Sequence, residues 1–200
     1  MSERKWGFKT KALHAGTQPD PHTGARALPI YQSSAFVFEN TEDAGNLFAL
    51  QKYGNIYSRI GNPTVAAFEE KIAALEGGLG AVATSSGMAA QFLTFAALVG
   101  AGDHVVASSA LYGGTLTQLD VTLRRFGVDT TFITSDKAED FKAAITDKTK
   151  FIYAEMVSNP ASQIGDIEAL AKVAHDAGLP LIIDSTVATP YLVRPIEYGR

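Results

Sequence analysis

Leu181-Ile182-Ile183-Asp184-Ser185-Thr186, with Ala188-Thr189-Pro190 just beyond it, decides how the chain is read. Three large apolar residues in succession predict a strand covered on both faces. The run ends in a carboxylate. An ionised aspartate at the end of a buried strand is costly unless a donor or a cation meets it. Open α/β sheets take their ligands at the carboxyl ends of their strands. Asp184 is therefore either a helix cap or the partner of a positive group on a bound molecule.

Working outward from that strand, helical and strand patterns alternate back to about residue 63. Phe68, Ile72 and Leu75 follow Pro63 at helical spacing, and Gly77-Gly78 ends that helix. Strands are expected at 81–84, 105–107, 130–134 and 151–154. Helices are expected from Met88 to Leu98 and over 116–126, 139–145 and 167–177, with Gly127 and Gly178 as stops. Such alternation calls for a parallel sheet with helices on both faces. Residues 1–62 differ: Gly, Pro, Asn and Thr are frequent, yet Tyr31, Phe36, Phe38, Phe48, Tyr53 and Tyr57 are too many aromatics for a solvated tail. They read as an arm that packs against something, with one short helix over 41–50 capped by Thr41.

Composition narrows the class. The net charge of −4 offers no basic face to nucleic acid or an anionic membrane. With no cysteine there is neither a disulfide nor a thiolate nucleophile. The histidines, His14, His22, His104 and His175, lack zinc-type spacing, so no metal site is expected. No run approaches membrane-spanning length and Met1–Lys5 is polar, so a cytoplasmic protein is the default.

Polar residues follow four of the expected strands. Ser85-Ser86-Gly87-Met88 opens a helix, where free N–H groups and a glycine make an anion site or a plain serine cap. Leu111-Tyr112-Gly113-Gly114 puts an aromatic ring at a helix entrance, either against a flat ligand or as packing. Glu155-Met156-Val157-Ser158-Asn159-Pro160 follows 151–154 and is an Asx-turn or a cleft-facing amide. Tyr57-Ser58-Arg59, on an extended chain, points two donors the same way, as for a phosphate. No GxGxxG follows a strand and no GxxxxGK[ST] occurs, which argues against dinucleotide and P-loop binding. One rim would thus gather anion donors, an aromatic plate, an amide and a carboxylate. Pyridoxal phosphate has the matching outline: phosphate, flat ring, phenolic oxygen and a protonatable ring nitrogen.

The chain resembles the Cys/Met-metabolism group of pyridoxal-phosphate enzymes, the relatives of cystathionine γ-synthase. The motifs His14-Ala15-Gly16, Pro29-Ile30-Tyr31-Gln32, Tyr57-Ser58-Arg59, Asn62-Pro63-Thr64, Ser86-Gly87-Met88, Leu111-Tyr112-Gly113, Asn159-Pro160 and Asp184-Ser185-Thr186 with Ala188-Thr189-Pro190-Tyr191 occur in family order. The resemblance implies an aspartate-aminotransferase-like (fold type I) large domain begun at residue 63, with 1–62 as an arm contacting a neighbouring subunit. It implies that Ser86, Gly87 and Met88 hold the cofactor phosphate, joined by Tyr57 and Arg59 of a neighbouring subunit. Tyr112 would stack on the ring and help move protons. Asn159 would meet the phenolic oxygen, Asp184 the ring nitrogen, and Thr186 would sit behind the ring. Glu155 would line the substrate side.

The family's Schiff-base lysine follows a Ser-x-Thr motif beyond the Asp184 strand, and nothing up to Arg200 matches it. Lys150 opens a strand and Lys172 rides a helix. The expectation is the front part of a longer polypeptide, inactive alone, with the lysine and the C-terminal domain past residue 200. The segments Asn46–Gln51 and Gly54–Ile60 are similar to those of O-acetylhomoserine sulfhydrylases, and Gly114 stands where methionine γ-lyases typically carry cysteine. The implied activity is γ-replacement in methionine biosynthesis: sulfide or a thiol displaces acetate from O-acetyl-L-homoserine, in a homodimer or homotetramer. Methionine γ-lyase and cystathionine γ-synthase or lyase are the alternatives, and a non-catalytic interaction protein is the rival class.

Overall fold

Leu181–Asp184 forms strand β4 and pairs in parallel with β3, Thr149–Glu155. β1 (His104–Ser108) lies on the other side of β3, and β2 (Asp129–Ile133) beyond it, giving a parallel four-stranded sheet ordered β2-β1-β3-β4. The computed structural model describes residues 6–198, and these form two compact units that divide between Ala83 and Thr84.

In the second unit, successive strand residues point to opposite faces. Val105, Ala107, Phe151 and Tyr153 face one core with Phe95 of α4 (Gly87–Leu98) and with Leu119 and Leu123. Val106, Ile152 and Ala154 face the other with Phe141 of α6 (Ala138–Ala143) and Leu170 and Ala174 of α7 (Ile167–Asp176). Helices thus cover both faces of the central strands β1 and β3, whereas β4, at the edge of the sheet, is only partly buried and not covered as its apolar run predicts. Gly127 and Gly178 stop their segments in the left-handed region, at φ of 78° and 70°.

Two expectations for this region need correction. Residues 81–84 are not a strand: they pair with no ladder, and the Ala83 N–H goes to Glu69 Oε1 at 2.7 Å. Without a neighbouring edge an extended segment has nothing to bond as a strand. The helix expected over 116–126 starts earlier, as α5 (Gly113–Thr117), and continues in the π form over Gln118–Leu123.

In the first unit, α1 (Phe8–His14) and α3 (Pro63–Glu76) pack through Lys11 Nζ, which donates to Ala74 O at 3.1 Å. α1 is a second helix in the arm, too short at seven residues to show a period. Gly16 follows it at φ +69°, where a Cβ would lie 2.2 Å from Ala67 O, so only glycine fits. α2 (Thr41–Phe48) is capped by Asn40, whose side chain accepts from Asp43 N, and not by Thr41. Asn62 organises the rest: it caps α3 through Thr64 N and donates to Tyr31 O and Ser58 Oγ, each at 2.9 Å. Among the described residues no helix is long and apolar enough to cross a membrane. α8 (Thr189–Leu192) and a 3₁₀ turn, Pro195–Glu197, follow β4.

Candidate active site

The parallel strands deliver Glu155 and Asp184 side by side, as register partners at the carboxyl ends of β3 and β4. Beyond them a cavity of about 320 Å³ is lined by Ser86, Gly87, Met88, Gln91, Tyr112, Glu155, Val157, Asn159, Asp184, Thr186 and Val187. Eight of the ten residues singled out in the sequence line this one space. Tyr57 and Arg59 belong to the first unit. There Tyr57 bridges to Ala35 and Arg59 enters a turn, its guanidinium 5.5 Å from the Tyr57 ring centroid. The chain is therefore not extended through 57–59: it turns, with Ile60 N donating to Tyr57 O at 2.8 Å, and the two side chains lie within cation–π range.

At one wall Ser86 caps α4, its Oγ accepting from Ala89 N at 3.1 Å, and the backbone ladder starts with Ala90 N to Ser86 O. That leaves the Gly87 and Met88 N–H groups as the unladdered donors of a 12-residue helix, at the positive end of its dipole. Gln118 Nε2 donates to Met88 O at 3.2 Å and ties the helix start to the π turn.

Glu155 is buried, and both its oxygens are used. Oε1 accepts from Tyr112 N at 2.7 Å and Oε2 from Asn159 N at 3.0 Å. One carboxylate thus pins the two loops that carry the aromatic ring and the amide. Burial pushes the Glu155 pKa up, the Tyr112 and Asn159 N–H groups pull it down, and the nearby Asp184 charge adds to the rise. Tyr112 is half exposed, with its ring packed over Gly114: a Cβ there would lie 2.5 Å from Tyr112 Cε1.

Asp184 is held from two sides. Oδ1 accepts from Thr186 N at 2.9 Å and Thr186 Oγ1 at 2.5 Å, and Oδ2 accepts from Gln91 Nε2 at 2.8 Å. Gln91 also donates to the Tyr153 hydroxyl at 2.9 Å and accepts from Thr115 Oγ1 at 3.1 Å. Tyr153 is buried, and that burial, with the charges of Asp184 and Glu155, pushes its pKa up and keeps its proton on. Gln91, Thr115 and Tyr153 were not picked out from the sequence. The available signal was a polar residue on a buried stripe: Gln91 lies one turn before the fully buried Phe95.

An open parallel sheet with helix-start donors, an aromatic ring and a carboxylate on one rim is the architecture of fold type I pyridoxal-phosphate enzymes, and the comparisons agree. The chain belongs to the family of Cys/Met metabolism PLP-dependent enzymes, whose sequence profile matches residues 9–200. It is 55% identical over 193 residues to sulfhydrylase FUB7 of Fusarium oxysporum f. sp. lycopersici, covering 96% of this chain and 45% of the relative. It is 51% identical over 196 residues to the O-acetyl-L-homoserine sulfhydrylase of Corynebacterium glutamicum, covering 98% and 45%. A Campylobacter jejuni structure, provisionally described as an O-acetylhomoserine (thiol)-lyase and carrying N'-pyridoxyl-lysine-5'-monophosphate, superposes with a TM-score of 0.94 at 38% identity. That match covers 98% of this chain and 48% of the other. The chain thus spans about half the length of the relatives it matches.

Proposed function

We propose that the whole protein is a pyridoxal-phosphate-dependent transferase that replaces the acetate of O-acetyl-L-homoserine with sulfide or a thiol. The supporting observation is the composition of the 320 Å³ cavity: two unladdered backbone donors on one wall, a carboxylate on another, and an aromatic ring between loops. That donor set fits an anion joined to a flat ring with a basic nitrogen, and the volume falls in the range of small-ligand pockets. The sulfhydrylase relatives support the substrate.

When bound, pyridoxal phosphate supplies an electron sink for charge developing on the substrate's Cα. The chain's own residues have the following roles in the proposal. The Gly87 and Met88 N–H groups, with the Ser86 turn, take the phosphate. Asp184 takes the ring nitrogen and keeps a proton there. Thr186, which donates twice to Asp184 Oδ1, sits behind the ring, and Asn159 meets the phenolic oxygen. Tyr112 covers the ring face and moves protons at the substrate side. Glu155, on that same side, holds the Tyr112 and Asn159 loops at their working spacing. Tyr57 and Arg59 reach the phosphate of a neighbouring subunit, which makes the protein a homodimer or homotetramer with shared sites. The arm of residues 1–62, a large domain begun at residue 63 and a cytoplasmic location in methionine biosynthesis complete the proposal.

The test is a product assay on the whole protein, supplied with O-acetyl-L-homoserine and sulfide, beside a methionine-cleavage control. Homocysteine and acetate in equal amounts, with little cleavage of methionine, are the expected result. Methionine cleavage at a higher rate would overturn the assignment in favour of a lyase.

A further inference from the structure

We propose that Gln91 is the positioning residue for Asp184, aiming its carboxylate at the ring nitrogen of the cofactor through a chain that runs from Thr115 through Gln91 to Asp184. The inference rests on the cofactor reading above and adds a residue to it.

A carboxylate on a short stem has a soft terminal torsion, so its plane is not fixed by its own rotamer. Asp184 needs outside donors to hold that plane. Thr186 supplies two, both to Oδ1. Oδ2 receives its donor from Gln91 at 2.8 Å. With donors on both oxygens the plane cannot turn without breaking one of them. A carboxylate takes about four hydrogen bonds; Thr186 and Gln91 supply three, and Asp184 lines the cavity.

Gln91 is itself fully committed. An amide has two N–H donors, and they go to Asp184 Oδ2 and to the Tyr153 hydroxyl. Its oxygen accepts from Thr115 Oγ1 at 3.1 Å. Turning the amide over would set its oxygen against the acceptor-only Asp184, so the orientation is unique. Thr115 is completely buried, and Tyr153 is 1% exposed. Neither can exchange its partner for bulk water. On the stripe of α4 that carries Met88, Phe92 and Phe95, an amide costs solvation that a methionine or leucine would not. The bond to Asp184 is what that position gains.

The experiment uses the whole protein and pyridoxal 5'-phosphate labelled with ¹⁵N in the ring. Wild type is compared with Gln91→Met, which keeps the size and loses the donor, and with Thr115→Val and Thr115→Ser. Readouts are the cofactor dissociation constant, the ¹⁵N shift that reports ring protonation across pH, and the thermal midpoint. Loss of a charge-assisted hydrogen bond predicts a dissociation constant raised about tenfold or more in Gln91→Met. The ring nitrogen should then lose its proton at a lower pH than in wild type. Thr115→Val should move both readouts the same way by a smaller factor, and Thr115→Ser should restore them. The Thr115 pair carries the test if Gln91→Met does not fold. A protonated ring nitrogen in wild type that neither Gln91→Met nor Thr115→Val changes would overturn the inference while leaving the cofactor site standing. A ring nitrogen insensitive to Asp184→Ala as well would overturn the site reading and this inference with it.

Discussion

At the amino end of the sheet, His104 bonds Thr149 Oγ1 and Thr131 Oγ1, each at 2.8 Å, and so stitches β1 to both neighbours. At the carboxyl end, Asp184 and Glu155 sit side by side on β4 and β3, each with a donor on both carboxylate oxygens. Both ends bury titratable groups. The difference lies in what surrounds them. His104 spends both ring nitrogens on its neighbours and does not line the cavity, whereas Asp184 and Glu155 line the 320 Å³ space. Donors on both sides of a titratable group close one end of the sheet, and at the other they orient a partly buried carboxylate toward a cavity.

The contrast breaks first at Asp184. Asp184→Ala in the whole protein should lower turnover by a factor of about 10² to 10⁴, the range for losing a group that acts on developing charge or proton position. Steady-state kinetics beside thermal unfolding checks this. A fall in unfolding midpoint without a fall in turnover would put Asp184 on the structural side of the comparison.

His104→Ala should do the reverse. It leaves the Thr131 and Thr149 hydroxyls without their shared partner and should cost about 1–3 kcal/mol of stability by chemical denaturation. Cofactor affinity should stay close to wild type.

Glu155→Gln sharpens the comparison within the carboxyl end. An amide offers one acceptor end, so one of the Tyr112 and Asn159 N–H groups loses its bond. Hydrogen exchange at that amide should quicken about tenfold, since a charged hydrogen bond is worth on the order of 1.5 kcal/mol or more.

The smallest effect is on pH dependence. Burial lowers the His104 pKa below its ordinary value of 6.5, against the opposing pull of the Asp129 charge. The unfolded chain then binds the proton first as pH falls. The stability this group allows is complete above pH 6.5 and declines as pH drops below it. Denaturation midpoints from pH 7.5 to 5.5 should show a slope that is reduced in His104→Ala.

Much of the second unit was legible because its signals are local. The Leu181–Ile183 run, the helix stops at Gly127 and Gly178 and the cap at Ser86 each depend on neighbours in sequence. The gathering of residues on one rim was legible too, since parallel strands put all their carboxyl ends on one side. Residues 81–84 misled because pairing is not a property of the segment that pairs. Asn40 and Thr41 are adjacent capping residues, and only the backbone decides between them. Gln91 escaped notice because its partners Thr115, Tyr153 and Asp184 lie 24, 62 and 93 residues away.

A crystal structure of the whole protein grown with pyridoxal phosphate is the most direct measurement. The expected density places the phosphate against Gly87 and Met88 N–H and the ring nitrogen about 2.7–2.9 Å from an Asp184 oxygen, as a charge-assisted bond requires. A ring bound elsewhere, or an Asp184 turned away from its nitrogen, would contradict the central claim.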